Sequence, residues 1–293
     1  MRRPARLPQK IAIASNPDLP DAAQEARRIH QTLTQKYGLT SVTCTQLFNE
    51  ELDTCIQEGE FDLLISLGGD GTMLRAGRLC APSDTPVLGI NLGHFGFLME
   101  VQGNDWEEYL PMLLEGSFQI EERMMLRAEH YRDNELIGTW PVLNEIVVCR
   151  GKEIRPIRLD AYVDDQPLTT YIADGLIAAT PTGSTAYALA AGGPIMPPEL
   201  RNILVIPVAP HLSVDRAIIL SEGACITFTV QSSYETLLSA DGQPSVVMQK
   251  GDTMRASTWN HNASFIRFKD AGYFYRNLTM YMDQNPTTGT KND

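Results

Sequence analysis

The chain has 293 residues, 43% of them hydrophobic and 20% charged, with a formal net charge of −12. Such a chain buries a real core in one large domain or two ordinary ones. Its acidity argues against a broad nucleic-acid or membrane surface, so a site for an anionic ligand needs locally placed positive charge. The cysteines (Cys44, Cys55, Cys80, Cys149, Cys225) are odd in number and form no C-x-x-C pair. That usage fits reduced thiols in a cytosol rather than a disulfide framework or a zinc site. The basic start MRRPARLPQK runs through IAIAS into Asn16-Pro17-Asp18, leaving no signal-peptide apolar region. No apolar stretch reaches membrane-spanning length. The expectation is a soluble, cytoplasmic protein.

In chain order, 10–15 reads as a buried strand and 21–37 as a helix, with Ala22, Ala26, Ile29 and Leu33 at spacings of three and four. Strands are expected at 41–47 and 61–67. The latter breaks into Gly68-Gly69-Asp70-Gly71-Thr72, followed by a helix at 73–79. Residues 85–91 read as another strand, ending near Gly93 and Gly96, and 105–116 as a helix. Strands alternating with helices imply a parallel sheet with ligands at the carboxyl ends of its strands. After residue 119 the texture changes to short strands, at 121–130, 143–149, 158–163, 176–180, 203–208, 217–220, 225–230, 245–248 and 265–268. Residues 184–191 stand out as a helix, and 277–284 as a short returning helix before a polar tail expected to be disordered. The expected fold is an α/β N-terminal domain with a parallel sheet plus an all-β, sandwich-like C-terminal domain. The boundaries are 1–118, 119–275, and a return segment with tail at 276–293.

Three features carry chemistry. Glycines free to take positive φ expose N–H groups to an anion at 68–72, and Asp70 stands where it can take a proton from a hydroxyl attacking a bound phosphoryl group. A tight turn with a solvated Asp is the plain alternative. The segment DGLIAATPTGSTAYALAAGGP at 174–194 is a strand, a hydroxyl-rich turn and a helix start. Thr180, Thr182, Ser184 and Thr185 gather where free N–H groups favour an anion or ribose oxygens. Ser184 also suits a simple N-cap, and Tyr187 suits a core position or the face of an adenine or nicotinamide ring equally well. Thirdly, Asn144-Glu145 interrupts an apolar run, and a buried carboxylate is costly unless bonded. Glu and Asn side chains suit ribose hydroxyls, while simple strand alternation accounts for Glu145 better than for both.

GGDGT at 68–72, NLGHFGFL at 91–98, NE at 144–145 and the 174–194 segment resemble the NAD kinase family in order and spacing. The glycine loop is shared with diacylglycerol-type lipid kinases, whereas TPTGSTAY is much more specific. The resemblance implies transfer of the γ-phosphoryl of ATP, or of polyphosphate, to the adenosine-ribose 2′-hydroxyl of NAD, giving NADP. It makes Asp70 the general base and Gly68, Gly69, Gly71 and Thr72 part of the donor-phosphate loop. It puts Phe97 beside adenine, Asn144 and Glu145 on ribose, and Asp174 near the nicotinamide half. Thr185, Ala186, Tyr187, Ala188, Leu189 and Ala190 then line the adenosine, and Gln243 makes a further dinucleotide contact. Arg75 and Arg155 fall at positions often basic in the family, although a solvent-facing arginine explains Arg75 and a hairpin turn explains Asp241-Gly242-Gln243. Mg²⁺ is expected through the nucleotide phosphates, with no protein ligand assigned. The resemblance also implies a homo-oligomer, dimer or tetramer, acting on small molecules and not on nucleic acid or membrane.

Ile172 departs from the family, which is often basic there, so a phosphate or nicotinamide contact at that position is not carried over. His211 and His94 are assigned no role. A lipid kinase and a non-catalytic dinucleotide sensor are the rival readings. A dehydrogenase is disfavoured, because Ala14-Ser15-Asn16-Pro17 stands where a G-x-G-x-x-G would follow the first strand.

Overall fold

The computed structural model describes residues 7–283 apart from 48, 94–95, 212–214 and 271. His94, residues 212–214 and the tail expected at 285–293 therefore lie outside the described residues. The chain opens with β1 (Lys10–Ser15), α1 (Pro20–Gln31), β2 (Ser41–Gln46), α2 (Glu50–Gln57) and β3 (Leu63–Gly68). It continues with α3 (Asp70–Cys80), β4 (Val87–Asn91), β5 (Val101–Gln102), α4 (Trp106–Glu115) and β6 (Gln119–Arg123). A strand-rich stretch follows: β7 (Leu126–Arg132), β8 (Glu135–Val142), β9 (Glu145–Arg150), β10 (Ile157–Val163), β11 (Gln166–Ala173) and β12 (Gly175–Ala179). After the short α5 (Tyr187–Ala190) come β13 (Asn202–Val208), β14 (Ile218–Ser221), β15 (Ile226–Val230), β16 (Thr236–Ala240), β17 (Val246–Met248) and β18 (Thr253–Thr258). The last elements are β19 (Ala263–Arg267) and α6 (Tyr273–Asp283). These elements form two compact units, one of residues up to Glu122 together with those from Ala263 onward, the other Arg123–Asn262.

The first unit is built on a sheet of order β2-β1-β3-β4-β19-β6, with β5 beside β4. The β1–β2, β1–β3, β3–β4, β4–β5 and β4–β19 pairs are parallel. Every residue of β3 and β4 is buried, as expected of strands covered on both faces. Ala22, Ala26 and Ile29 of α1 and Trp106, Leu110 and Leu113 of α4 pack with Ile13, Ile65 and Ile90 in one core. The chain leaves β1 towards β2 on one side and returns to β3 on the other. The carboxyl ends of β1 and β3 thus flank the kind of strand-order reversal at which open α/β sheets bind ligands.

One expectation fails here. Residues 265–268 do not join the β-rich domain, because β19 pairs with β4 through Phe265 and Val87 in the first unit's sheet. Ala263, Phe265 and Ile266 are buried, and such an apolar run suits a covered parallel sheet as well as a sandwich. The sequence pattern carries no information about which sheet receives it. The stretch expected at 119–275 as a single β-rich domain therefore loses both ends to the first unit.

The second unit has two six-stranded antiparallel sheets, β11-β10-β15-β18-β7-β8 and β14-β13-β12-β9-β16-β17. Leu126, Leu159, Phe228 and Met254 of one sheet pack with Ile146, Leu176, Val205 and Leu238 of the other. The second sheet is covered on its other side too, by Ala188 and Met196 against Val147, Ile177, Leu204 and Ile206. Among the described residues no helix is long and apolar enough to cross a membrane.

Candidate active site

In the first unit, β3 ends at Gly68 and α3 begins at Asp70, so the expected five-residue loop is shorter and Asp70 lies in the first helical turn. None of Gly68, Gly69 and Gly71 takes a positive φ. Gly68 serves close approach instead, while a Cβ on Gly69 or Gly71 would meet open space. A Cβ on Gly68 would run into the Thr72 side chain, which folds back to cap the helix. Thr72 Oγ1 accepts from the Gly69 backbone N–H at 3.4 Å and from Asn16 Nδ2 at 3.0 Å. Asn16 follows the end of β1, and its own N–H donates to the Leu67 carbonyl at 2.9 Å. This ties the two strand ends together.

The Asp70 carboxylate is fixed by the segment after β4. Phe97 N–H donates to Oδ2 at 2.7 Å and Leu98 N–H to Oδ1 at 3.1 Å. Burial raises the Asp70 pKa above the ordinary carboxylate value, opposed by those two N–H groups and by the Arg267 guanidinium. Gly96 completes the cradle, since a Cβ there would collide with the carboxylate itself. Phe97 is nearly buried, its ring 6.5 Å from that of Phe274 on α6. Arg75 is exposed on α3, where Asp53 of α2 acts on its charge. Asp70 already accepts two backbone N–H groups, and the described residues hold no group of three or more metal-binding side chains.

In the second unit, Asn144 and Glu145 sit where β9 begins, held by Asp241 from the β16–β17 turn. The Asp241 carboxylate accepts from the N–H groups of Leu143, Asn144 and Glu145 at 2.8, 2.7 and 3.0 Å. Glu145 is 9% exposed. Burial, with the Asp241 charge in second place, pushes its pKa up to about 8, although the Tyr187 backbone N–H donates to it. Its Oε2 has no hydrogen-bond partner among the described residues, and neither does the buried Nε2 of Gln243. An acidic oxygen and an amide nitrogen at the same strand ends are thus buried without partners among the described residues.

The hydroxyl cluster behaves differently from expectation. Thr180 Oγ1 donates to the Leu143 carbonyl at 2.5 Å, Ser184 Oγ to the Pro181 carbonyl at 2.6 Å, and Thr185 Oγ1 to the Thr182 carbonyl at 3.1 Å. Thr182 Oγ1 accepts from the buried Arg123 at 3.3 Å. These hydroxyls build the turn rather than offering themselves to an anion. The single helix expected at 184–191 is a 3₁₀ turn (Gly183–Thr185) and the four-residue α5, interrupted at Ala186 with φ −103° and ψ −126°. Tyr187 is 44% exposed while Ala188 is in the core, so Ala188 offers only backbone. Thr185, Ala186 and Leu189 are half-buried and Ala190 is exposed.

The structure gathers Asn144, Glu145, Gln243 and the 185–190 segment, but not Asp174 or Arg155. Pairing of Gly175 with Cys149 and of Ala179 with Glu145 puts Asp174 at the opposite end of the same two strands, about 16 Å away for five residues of extended chain. There Asp174 forms an ion pair with Arg150 at 3.1 Å. Arg155, in the loop after β9, donates to Tyr234 Oη at 3.1 Å. Asn16, Gly96, Asp241 and Arg267 were not singled out by sequence, because each acts through residues distant in the chain.

Two family models match this chain: the ATP-NAD kinase N-terminal domain over residues 11–118 and the ATP-NAD kinase C-terminal domain over 143–268. The chain belongs to the ATP-NAD kinase family. The N-terminal domain of that family contains the Asp70 cradle, and its C-terminal domain contains Asn144, Glu145 and the 174–194 segment. The NAD kinase of Heliobacterium modesticaldum is 38% identical over 271 residues, spanning 90% of this chain and 95% of the relative. That of Moorella thermoacetica is 43% identical over 212 residues, 72% of this chain and 68% of the relative. Among solved structures, the fold is similar to yeast NADH kinase complexed with NADH, with TM-score 0.83 and 25% identity over 96% of this chain and 89% of that one. It is also similar to an NAD kinase from Archaeoglobus fulgidus in complex with ATP, with TM-score 0.72 and 27% identity over 92% of this chain and 97% of that one.

Proposed function

We propose that this chain is an NAD kinase that transfers the γ-phosphoryl of ATP to the 2′-hydroxyl of the adenosine ribose of NAD, releasing NADP and ADP. The observation that carries the reading is Asp70, a lone carboxylate at the end of a glycine-bearing strand, gripped by two backbone N–H groups. A secondary hydroxyl is too weak an acid to ionise at neutral pH, so its proton must leave as the oxygen attacks phosphorus. Asp70 accepts that proton, and burial makes it a stronger base than an ordinary carboxylate. The remaining work is alignment and charge neutralisation. The N-terminal end of α3, through its dipole, favours the donor phosphates, and a phosphate-held Mg²⁺ would neutralise their charge.

The orphaned Glu145 Oε2 and Gln243 Nε2 support dinucleotide recognition by the second unit, with Asn144 on the same ribose and Tyr187 beside a ring. Asp174 and Arg155 lie too far along the sheet to join that cluster within one chain. Their assignment to NAD rests on an extended dinucleotide or on a second copy, and we favour a homo-oligomer in which copies share the ligand. The scattered cysteines agree with a reducing, cytoplasmic setting. Incubation of purified protein with NAD and Mg-ATP, followed by quantitation of NADP, tests the reaction. NAD binding without NADP formation would replace the kinase with a sensor.

A further inference from the structure

We propose that Arg267 is a positioning residue for phosphoryl transfer, holding from the far end of the chain the segment that grips Asp70. Arg267 ends β19 and is 2% exposed. Its Nη1 donates to the Leu98 carbonyl at 3.0 Å, while the Leu98 N–H donates to Asp70 Oδ1 at 3.1 Å. One peptide unit away on each side of the Leu98 Cα, the same residue thus meets the guanidinium and the carboxylate. Arg267 Nε is held in turn by Glu121 of β6 at 2.7 Å. Its guanidinium stacks over the rings of Phe265 and Tyr273 at 5.4 and 4.9 Å. Next to it, Glu100 accepts from the Phe268 and Lys269 N–H groups at 2.9 and 2.7 Å. These bonds pin one end of the 98–100 stretch to β19 and the other to the two residues that follow it.

A fully buried guanidinium needs a reason, since burying a charge is costly and a hydrophobic residue of similar volume would pack as well. Glu121 and Glu100 are its carboxylate neighbours and Tyr273 its phenol. The Arg267 charge also acts on Asp70, favouring its ionised form against burial. The cation therefore acts on the base twice, through the Leu98 backbone and through its field. Nothing in this proposal requires Arg267 to touch substrate.

The inference rests on Asp70 being the base, and the test separates the two. Kinetics of the full chain are measured for Arg267→Gln, Arg267→Lys, Glu121→Gln and Asp70→Asn, and Asp70 is titrated directly by ¹³C NMR on aspartate-labelled protein, with Asp70→Asn assigning the signal. Arg267→Gln should lower kcat roughly 10- to 100-fold with little change in KM for NAD. It should move the acid limb of the kcat profile and the Asp70 titration upward by about half a pH unit or more. Arg267→Lys restores the limb but not the full kcat. Glu121→Gln, partly exposed and readable even if Arg267→Gln does not fold, leaves the cation less compensated and moves the Asp70 titration downward. Shifts of the same sign in Arg267→Gln and Glu121→Gln, or no shift of the Asp70 signal in Glu121→Gln, overturn the proposal. An active Asp70→Asn enzyme overturns the base assignment alone, since the NMR shifts remain to be read.

Discussion

Asp70 in the first unit and Glu145 in the second are both carboxylates with raised pKa values, yet their surroundings differ in kind. Both Asp70 oxygens accept backbone N–H groups, and the charge of the buried Arg267 favours the ionised carboxylate. Glu145 receives one backbone N–H, stands beside the like charge of Asp241, and has one oxygen with no partner. The first group is completed by the protein, as the proposed base requires. The second is left incomplete by the protein, as the proposed ribose contact requires. On that proposal, a catalytic carboxylate and a recognition carboxylate are told apart by where their hydrogen bonds stop.

The largest effect expected from breaking this contrast is at Asp70. Asp70→Asn should reduce turnover by roughly 10²- to 10⁴-fold while NAD affinity, measured by calorimetry, stays nearly constant, because the base acts only in the transition state. A comparable NAD affinity loss would erase the distinction. Gly96→Ala comes next. Its Cβ falls on the carboxylate, so Asp70 must move, and kcat should drop by roughly 10²-fold in a protein whose circular dichroism is unchanged.

Glu145→Gln should be milder in rate and visible in binding, raising KM for NAD by about fivefold, the worth of one ordinary hydrogen bond. It should also stabilise the protein. With a folded pKa of about 8 against 4.5 for the free side chain, the native state binds more protons than the unfolded state between those values. Stability therefore falls as pH rises through that window, and the full penalty applies above it. The melting-temperature gain of Glu145→Gln should be small near pH 5 and largest above pH 8, and a gain independent of pH would count against a buried, ligand-seeking acid. The smallest effect is expected at Gly183, where a Cβ meets the Asn144 backbone. Gly183→Ala should cost about 1–3 kcal/mol of stability by chemical denaturation and weaken NAD binding only as far as Asn144 moves.

Much of this was legible because it was local. The runs IAIAS, LLISLG and VLGIN read as covered strands, and the interruption of an apolar run by Asn144-Glu145 flagged the site where an orphaned oxygen is found. Strands β8, β11, β16 and β18 went unread. Polar residues mix into all four, and β8 and β11 are sheet edges carrying Pro141 and Pro167, positions where proline is tolerated. The helix expected at 184–191 failed because Ser184 and Thr185 bond to local carbonyls, a competition that residue propensities do not express. Positive φ at the glycine loop failed too: Gly68 answers a steric contact with Thr72 that only the folded chain creates, and nothing in the structure explains Gly69 and Gly71 sterically. Arg267 was invisible altogether, its partner Leu98 standing 169 residues earlier.

The return of β19 to a slot between β4 and β6 has a consequence for biosynthesis. A ribosome delivers residues 1–122 long before Ala263, so the first sheet must wait, open at that slot, while the whole second unit emerges and folds. Vectorial synthesis favours N-terminal units elsewhere, but here the earlier unit is the one completed last. A nascent chain halted at Asn262 would hold every residue of the glycine loop and none of the strand that secures it. If Arg267 positions the base as proposed, phosphoryl-transfer competence belongs only to chains that have delivered β19, a check built into the order of the strands.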